Sequence, residues 1–190
     1  MKKLVVFASG NGSNFEAIQQ AIEKGDLKAK IVGLVCDHAD AYCLTRAKNH
    51  GIHTSLFLRN DYSTKAEMDE AIAHQCNVWK ADWLVLAGYM RLISTPILRR
   101  FPRRIVNIHP SLLPKYRGKD AIGQAIAAHE KTMGVSIHYV DEGMDTGEII
   151  AQFPFEVKDG EDRYTIETRL HVIEHKAYPA VLKQLMEENT

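Results

Sequence analysis

Leu4-Val5-Val6-Phe7-Ala8-Ser9-Gly10-Asn11-Gly12-Ser13-Asn14 is a continuous apolar run that breaks into a glycine-rich turn and then opens a helix. A half-exposed strand alternates apolar and polar residues; five apolar residues in a row suit a strand buried on both faces. Immediately downstream, Phe15, Ile18 and Ile22 recur at helical spacing, and the stripe stops near Gly25. Buried strand, tight turn and amphipathic helix together make one unit of a parallel, helix-covered sheet.

The same alternation continues outward. Residues 31–36 are a second apolar strand, and 41–49 a helix ending before Gly51. Thr64-x-x-Glu67 is a capping box for a helix reaching about Cys76. Residues 83–87 and 105–109 are further buried strands, the latter followed by a proline-bracketed loop and a helix near 121–129. The last third differs. Residues 135–140 and 148–157 are predicted strands separated by a short loop containing Gly143 and Gly147, as in a hairpin at a sheet edge. A closing helix is predicted from Tyr164 towards Met186, kinked or interrupted at Pro179. The expectation is an α/β fold in one domain over 1–190: a mostly parallel, Rossmann-like twisted sheet with helices on both faces and an antiparallel hairpin near the C-terminus.

The totals narrow the function classes. Lysine plus arginine and aspartate plus glutamate are 24 each among 190 residues, for a formal net charge of zero. An overall basic footprint for nucleic acid is therefore not expected. No apolar stretch approaches the ~20 residues of a membrane span, and no signal peptide is recognisable. Cys36, Cys43 and Cys76 lack CxxC spacing and read as reduced thiols of a cytoplasmic protein.

Four motifs carry chemistry. In Ser9–Asn14, glycines let an anion approach the backbone, and the helix N-terminus offers free N–H groups; a plain helix cap is the alternative. Gly10-x-Gly12 with Asp37 at the end of the second strand also suits a dinucleotide site, but Phe15 stands where a third glycine belongs. The loop therefore reads as a site for one phosphate. Asn107-Ile108-His109-Pro110 ends a strand, so Asn107 and His109 share a face and can offer paired donors to a developing oxyanion. Asp145, in the acidic loop 141–148, could orient His109 and stabilise its protonated form; a solvated turn is the plainer reading. Gly88 to Ile93 follows another strand and could line the pocket of a flat aromatic ligand. All these strand ends lie on the edge where open α/β sheets bind ligands. His171-x-x-Glu174-His175 matches an inverted zinc-protease pattern, but a third ligand is missing from the sequence nearby. Asp145-Thr146-Gly147 spells an aspartic-protease signature, yet only once and on an α/β pattern.

With these residues in their order, the chain resembles the folate-dependent formyltransferase family. FASGNGSNFEAI, LAGYMRLI, NIHPSLLPKYRG and HYVDEGMDTGEII carry the likeness, which runs from Val5 to Pro179. The resemblance implies the formyltransferase fold, with Asn107, His109 and Asp145 as catalytic groups. It implies 10-formyltetrahydrofolate as co-substrate and phosphoribosylglycinamide as acceptor, with no metal, no nucleic acid and no membrane partner; a homodimer is left open. Some relatives carry a further RNA-binding or regulatory domain, for which this chain is expected to have no room. Gly12, Ser13 and Asn14 would hold the substrate phosphate, Gly88 would let the glycinamide chain pass, and Glu174 would contact the ribose, which is a better use of that helix than zinc. Met90, Arg91, Leu92 and Ile93 would hold the pterin end of the folate. Asn107, Asp141, Gly143 and Asp145 would close on it, and Lys65 would meet the glutamate carboxylate.

Overall fold

The computed structural model describes residues 1–188; positions 189 and 190 of the expected domain lie outside the described residues. The first unit is β1 (Lys2–Ala8) and α1 (Ser13–Glu23), followed by β2 (Ala29–Cys36), α2 (Tyr42–Asn49) and β3 (Thr54–Leu56). A short 3-10 turn at Arg59–Asp61 leads to α3 (Lys65–Val78), β4 (Trp83–Leu86), α4 (Thr95–Arg100) and β5 (Ile105–His109). The chain closes with α5 (Ala121–Ala127), β6 (Thr132–Tyr139), β7 (Ile149–Glu156) and α6 (Arg163–Glu188). One seven-stranded sheet results, in the order β3-β2-β1-β4-β5-β6-β7. Its first five strands are parallel, while β6 and β7 run antiparallel to their neighbours, so β7 is the hairpin edge that the sequence suggests.

The strand period explains why the apolar run of β1 needs no polar residue. Leu4, Val6 and Ala8 enter one core with Phe15, Ile18, Tyr178 and Leu182, whereas Val5 and Phe7 enter another with Met68, Ile72 and Ile97. Alternate side chains thus bury against α1 and α6 on one face and α3 and α4 on the other. Each large side chain so buried contributes roughly 1.5–3 kcal/mol. The capping box forms as expected: Glu67 N donates to Thr64 Oγ1 at 3.1 Å, and Thr64 N to the Glu67 carboxylate at 3.3 Å.

Three features depart from the sequence expectations. Helix α6 is not interrupted at Pro179, which lies inside it and is buried. An interior proline costs a helix about 3 kcal/mol, and here the core packing of Tyr178, Val181 and Leu182 offsets that loss. The Tyr178 hydroxyl also meets the carbonyls of Leu86 and Val106, at 2.8 and 3.1 Å, pinning α6 to β4 and β5. Strand β3 and helix α4 were not expected; both are short, and β3 has only three residues. For α4 the signal was Ser94-Thr95-Pro96, with serine at the N-cap and proline in the first turn. Strand β6 begins at Thr132 rather than near 135, because its antiparallel pairing to β7 extends back to Glu156.

The connection from β1 goes outward to β2 and β3, then returns to β4 on the other side of β1. The C-terminal ends of β1 and β4 therefore flank the point where strand order reverses. In open α/β sheets that crevice binds ligands.

Candidate active site

A cleft of about 630 Å³ opens at that point. Its walls include Gly12, Ser13 and Asn14 from the first turn, Gly88 and Met90 to Ile93 after β4, Asn107 and His109 from β5, Gly143 and Asp145, and Glu174 from α6. A groove of about 680 Å³ between α1 and α6 is slightly larger, but it contains none of Asn107, His109 and Asp145. Lys65 and Asp141 are not brought into the cleft wall. Lys65 starts α3 and pairs with Asp69. Asp141 braces its own loop, accepting from Gly143 N at 3.0 Å and Thr146 Oγ1 at 2.6 Å.

At one end of the cleft the backbone dominates. Gly12 takes a left-handed φ of 75°, and a Cβ there would lie 2.6 Å from the Cβ of Cys43. Only glycine fits both demands. The preceding turn is pinned by Arg46, whose guanidinium donates to the Asn11 carbonyl at 2.8 Å and to its side-chain oxygen at 2.9 Å. Glu174 reaches this end from α6, accepting from Asn14 Nδ2 at 3.3 Å. Burial pushes the Glu174 carboxyl above the usual range, outweighing the lowering effects of His171 and Asn14.

At the other end side chains dominate. His109 Nε2 lies 2.8 Å from the Tyr116 carbonyl, which can only accept, so Nε2 carries the proton. The other ring nitrogen, Nδ1, faces Asp145 Oδ2 at 3.4 Å. Nδ1 bears a proton only when the ring is positively charged, so His109 can donate into the cleft only as an imidazolium. Asn107 Nδ2 lies 3.5 Å from Asp145 Oδ1 and 3.3 Å from His138 Nε2. Asn107 and His109 do share a face, both meeting Asp145.

Asp145 has a left-handed φ of 54°, which aspartate tolerates better than most residues. Just after it, a Cβ on Gly147 would fall 1.7 Å from the Tyr139 carbonyl oxygen, so the turn that carries the aspartate needs glycine there. Burial raises the Asp145 carboxyl, but hydrogen bonds from His138 and the Gly118 N–H, with the charges of His109 and His138, outweigh it and hold it below the usual aspartate value. The Gly118 N–H donates to Asp145 Oδ2 at 2.8 Å. The corner is thus a carboxylate kept ionised beside an imidazole and an amide, an arrangement suited to stabilising an oxyanion and moving a proton.

His138 was missed in the sequence. It sits on β6 directly opposite Asn107; its Nδ1 meets the Tyr139 carbonyl at 2.8 Å, and its Nε2 lies 3.3 Å from Asn107 Nδ2 and 3.7 Å from Asp145 Oδ1. Its signal was period-two spacing from Ser136, which holds the loop after β5 through Leu113 N at 3.0 Å and the Ser111 carbonyl at 2.7 Å. Pairing of β5 with β6, invisible in sequence, brings His138 to the site.

The rival readings find less support. Phe15, standing where a dinucleotide loop has its third glycine, is fully buried. Asp37, the expected ribose acid, is occupied by Arg91 Nε at 2.7 Å and His38 Nδ1 at 2.9 Å. His171 and His175 stack at 6.2 Å, and among the described residues no group of three or more His, Cys, Asp or Glu is placed to hold a metal. Among those residues, too, no helix is long and apolar enough to cross a membrane.

Comparison with known proteins agrees with this fold. The family model described as formyl transferase matches residues 2–182. The chain is 47% identical to the phosphoribosylglycinamide formyltransferase of Bacillus subtilis (strain 168), over 98% of this chain and 95% of that protein. The structure of glycinamide ribonucleotide transformylase 1 from Geobacillus kaustophilus is 48% identical, with a TM-score of 0.95, covering 97% of this chain and 98% of that one. That of phosphoribosylglycinamide formyltransferase from Bacillus halodurans is 41% identical, with a TM-score of 0.97, covering 100% and 97%.

Proposed function

The chain belongs to the formyl transferase family, and on that premise we propose that it transfers the formyl group of 10-formyltetrahydrofolate to the amine of 5'-phosphoribosylglycinamide in purine biosynthesis. The products are formylglycinamide ribonucleotide and tetrahydrofolate. The observation that carries the reading is one cleft with an anion-type backbone loop at one end and the Asn107–His109–Asp145 corner at the other.

The phosphate would sit on Gly12, Ser13 and Asn14, with Glu174 beside the ribose hydroxyls and Gly88 beside the glycinamide chain. The folate's flat ring system would lie against residues 90–93, where Met90 is 71% and Leu92 43% exposed, apolar surface that a ligand would cover. Gly143 and Asp145 line the same end of the cleft, and Asp141 supports them by shaping their loop. Lys65, beyond the cleft wall, would meet only the outer end of the folate, its glutamate carboxylate.

In the reaction, the amine attacks the formyl carbon on N10, and negative charge grows on the formyl oxygen. Asn107 Nδ2 and His109 Nδ1 supply N–H groups to that oxygen, with Asp145 as counter-charge to the ring. The C–N10 bond then breaks. The amine loses one proton and N10 gains one, and Asp145 and His109 stand where that proton can be passed. Holding both substrates in one cleft contributes proximity, worth roughly 7–11 kcal/mol at best.

The test mixes the purified chain with 10-formyltetrahydrofolate and follows tetrahydrofolate release with and without phosphoribosylglycinamide. Release only with the amine is expected. Release without it would indicate a deformylase, and no release at all would overturn the reading. The free thiols Cys36, Cys43 and Cys76 suit a reducing compartment, consistent with a cytoplasmic location.

A further inference from the structure

The segment between β4 and α4 has no helix or strand of its own, yet it carries the residues assigned to the folate. Its shape must come from contacts to other elements. Three of them converge on two residues at the ends of β1 and β2. Ser9 N donates to the Gly88 carbonyl at 3.0 Å, and Ser9 Oγ accepts from Met90 N at 2.9 Å. Burial raises the Asp37 carboxyl, but its neighbours, the Ser9 hydroxyl, His38 and Arg91, outweigh it and hold it below the usual aspartate value. Arg91 Nε donates to Asp37 Oδ2 at 2.7 Å.

We propose that Asp37 is a positioning residue for the formyl donor: its buried carboxylate fixes residues 90 and 91 through Ser9 and Arg91, and so sets the affinity of the folate loop. This rests on the reading that residues 90–93 hold the pterin end. Asp37 itself is 4% exposed and is not part of the cleft wall, so it acts through its neighbours. Two successive residues, Met90 and Arg91, are tied to one carboxylate, the first by a backbone N–H relayed through a hydroxyl and the second by a side chain. Losing that acceptor frees both at once and leaves Arg91 and Ser9 without their buried partner. The acceptor substrate should be little affected, because the Gly12 turn is held independently by Arg46 and by Cys43 N donating to the Gly10 carbonyl at 3.0 Å.

The experiment compares Asp37→Ala and Asp37→Asn in the full chain. Steady-state kinetics would vary each substrate in turn, and calorimetry would give the affinity for tetrahydrofolate. In Asp37→Ala, KM for 10-formyltetrahydrofolate should rise at least fivefold and tetrahydrofolate should bind correspondingly more weakly. The KM for phosphoribosylglycinamide and kcat should stay within twofold. Asp37→Asn keeps an acceptor oxygen for Arg91 and should recover most of the loss. An unchanged folate KM in folded Asp37→Ala, or both KM values rising together, would overturn the proposal. Should Asp37→Ala not fold, Ser9→Ala cuts the relay to Met90 and should raise the folate KM about threefold; no change there would overturn it equally. Failure of the underlying functional reading is distinct, since the wild-type chain would then neither bind tetrahydrofolate nor turn over.

Discussion

Two carboxylates face the same cleft and are pushed in opposite directions. Glu174, at the phosphate-type end, has one modest hydrogen bond from Asn14, and burial raises its pKa. Asp145, at the other end, is partly buried, but donors and positive charge surround it and its pKa is lowered. Environments that push paired acids apart are how one site separates roles. In the proposed reading, the phosphate-type end would hold its ligand with backbone geometry and few charges, and the Asp145 end would use its charges for the chemistry. Damage at the first should therefore appear in affinity, and damage at the second in turnover.

The largest expected effects fall at the chemical end. His109→Ala or Asn107→Ala should lower kcat about 10²–10³-fold, the loss of one oxyanion donor. Calorimetry should find phosphoribosylglycinamide affinity within threefold of wild type; a parallel collapse of affinity would break the separation of the two ends. Gly12→Ala should show the reverse pattern. Its left-handed φ and the 2.6 Å clash with Cys43 should raise KM for that substrate tenfold or more. The strain should also cost roughly 1–3 kcal/mol of stability, read as a lower Tm. An unchanged KM would remove the loop from the phosphate site. His138→Ala should be milder, about tenfold in kcat, since it orients Asn107 without meeting the formyl oxygen itself. If KM moved and kcat did not, His138 would belong to binding instead.

The smallest effects concern stability against pH, and their signs are opposite. Stability rises with pH wherever the unfolded chain binds more protons. The depressed Asp145 carboxyl gives stability that is present above its ordinary value of 3.8 and lost as pH falls through the lower folded value. The raised Glu174 carboxyl keeps its proton longer in the folded chain. Its stability contribution is full below the ordinary value of 4.5 and is lost as pH rises through the folded value. Glu174→Gln should thus increase Tm at pH 8 relative to wild type, and the gain should vanish below about pH 4. A gain that grew on acidification would contradict the assigned direction.

The fold was legible where burial on both faces erased the polar alternation, as in β1, and where local chemistry was explicit, as in the Thr64–Glu67 box. It was not legible in β3, too short to show a period, nor at Pro179, where tertiary packing overrides a local rule. In the site, Asn107 and His109 could be read together because two-residue spacing on one strand fixes their common face. Asp145 needed the family likeness to be singled out from an acidic turn. The parts played by His138 and Asp37 could not be read from spacing. The first depends on the register of β5 against β6, and the second acts through Ser9 and Arg91, which are remote in sequence.

Asp145→Asn tests the central claim most directly. Asparagine tolerates the left-handed backbone at this position and removes the charge beside His109. Formyl transfer and phosphoribosylglycinamide affinity would be measured on the same preparation. The account predicts turnover reduced at least 100-fold, in line with the loss of a transition-state electrostatic group, with affinity within threefold of wild type. Turnover at the wild-type rate would contradict it.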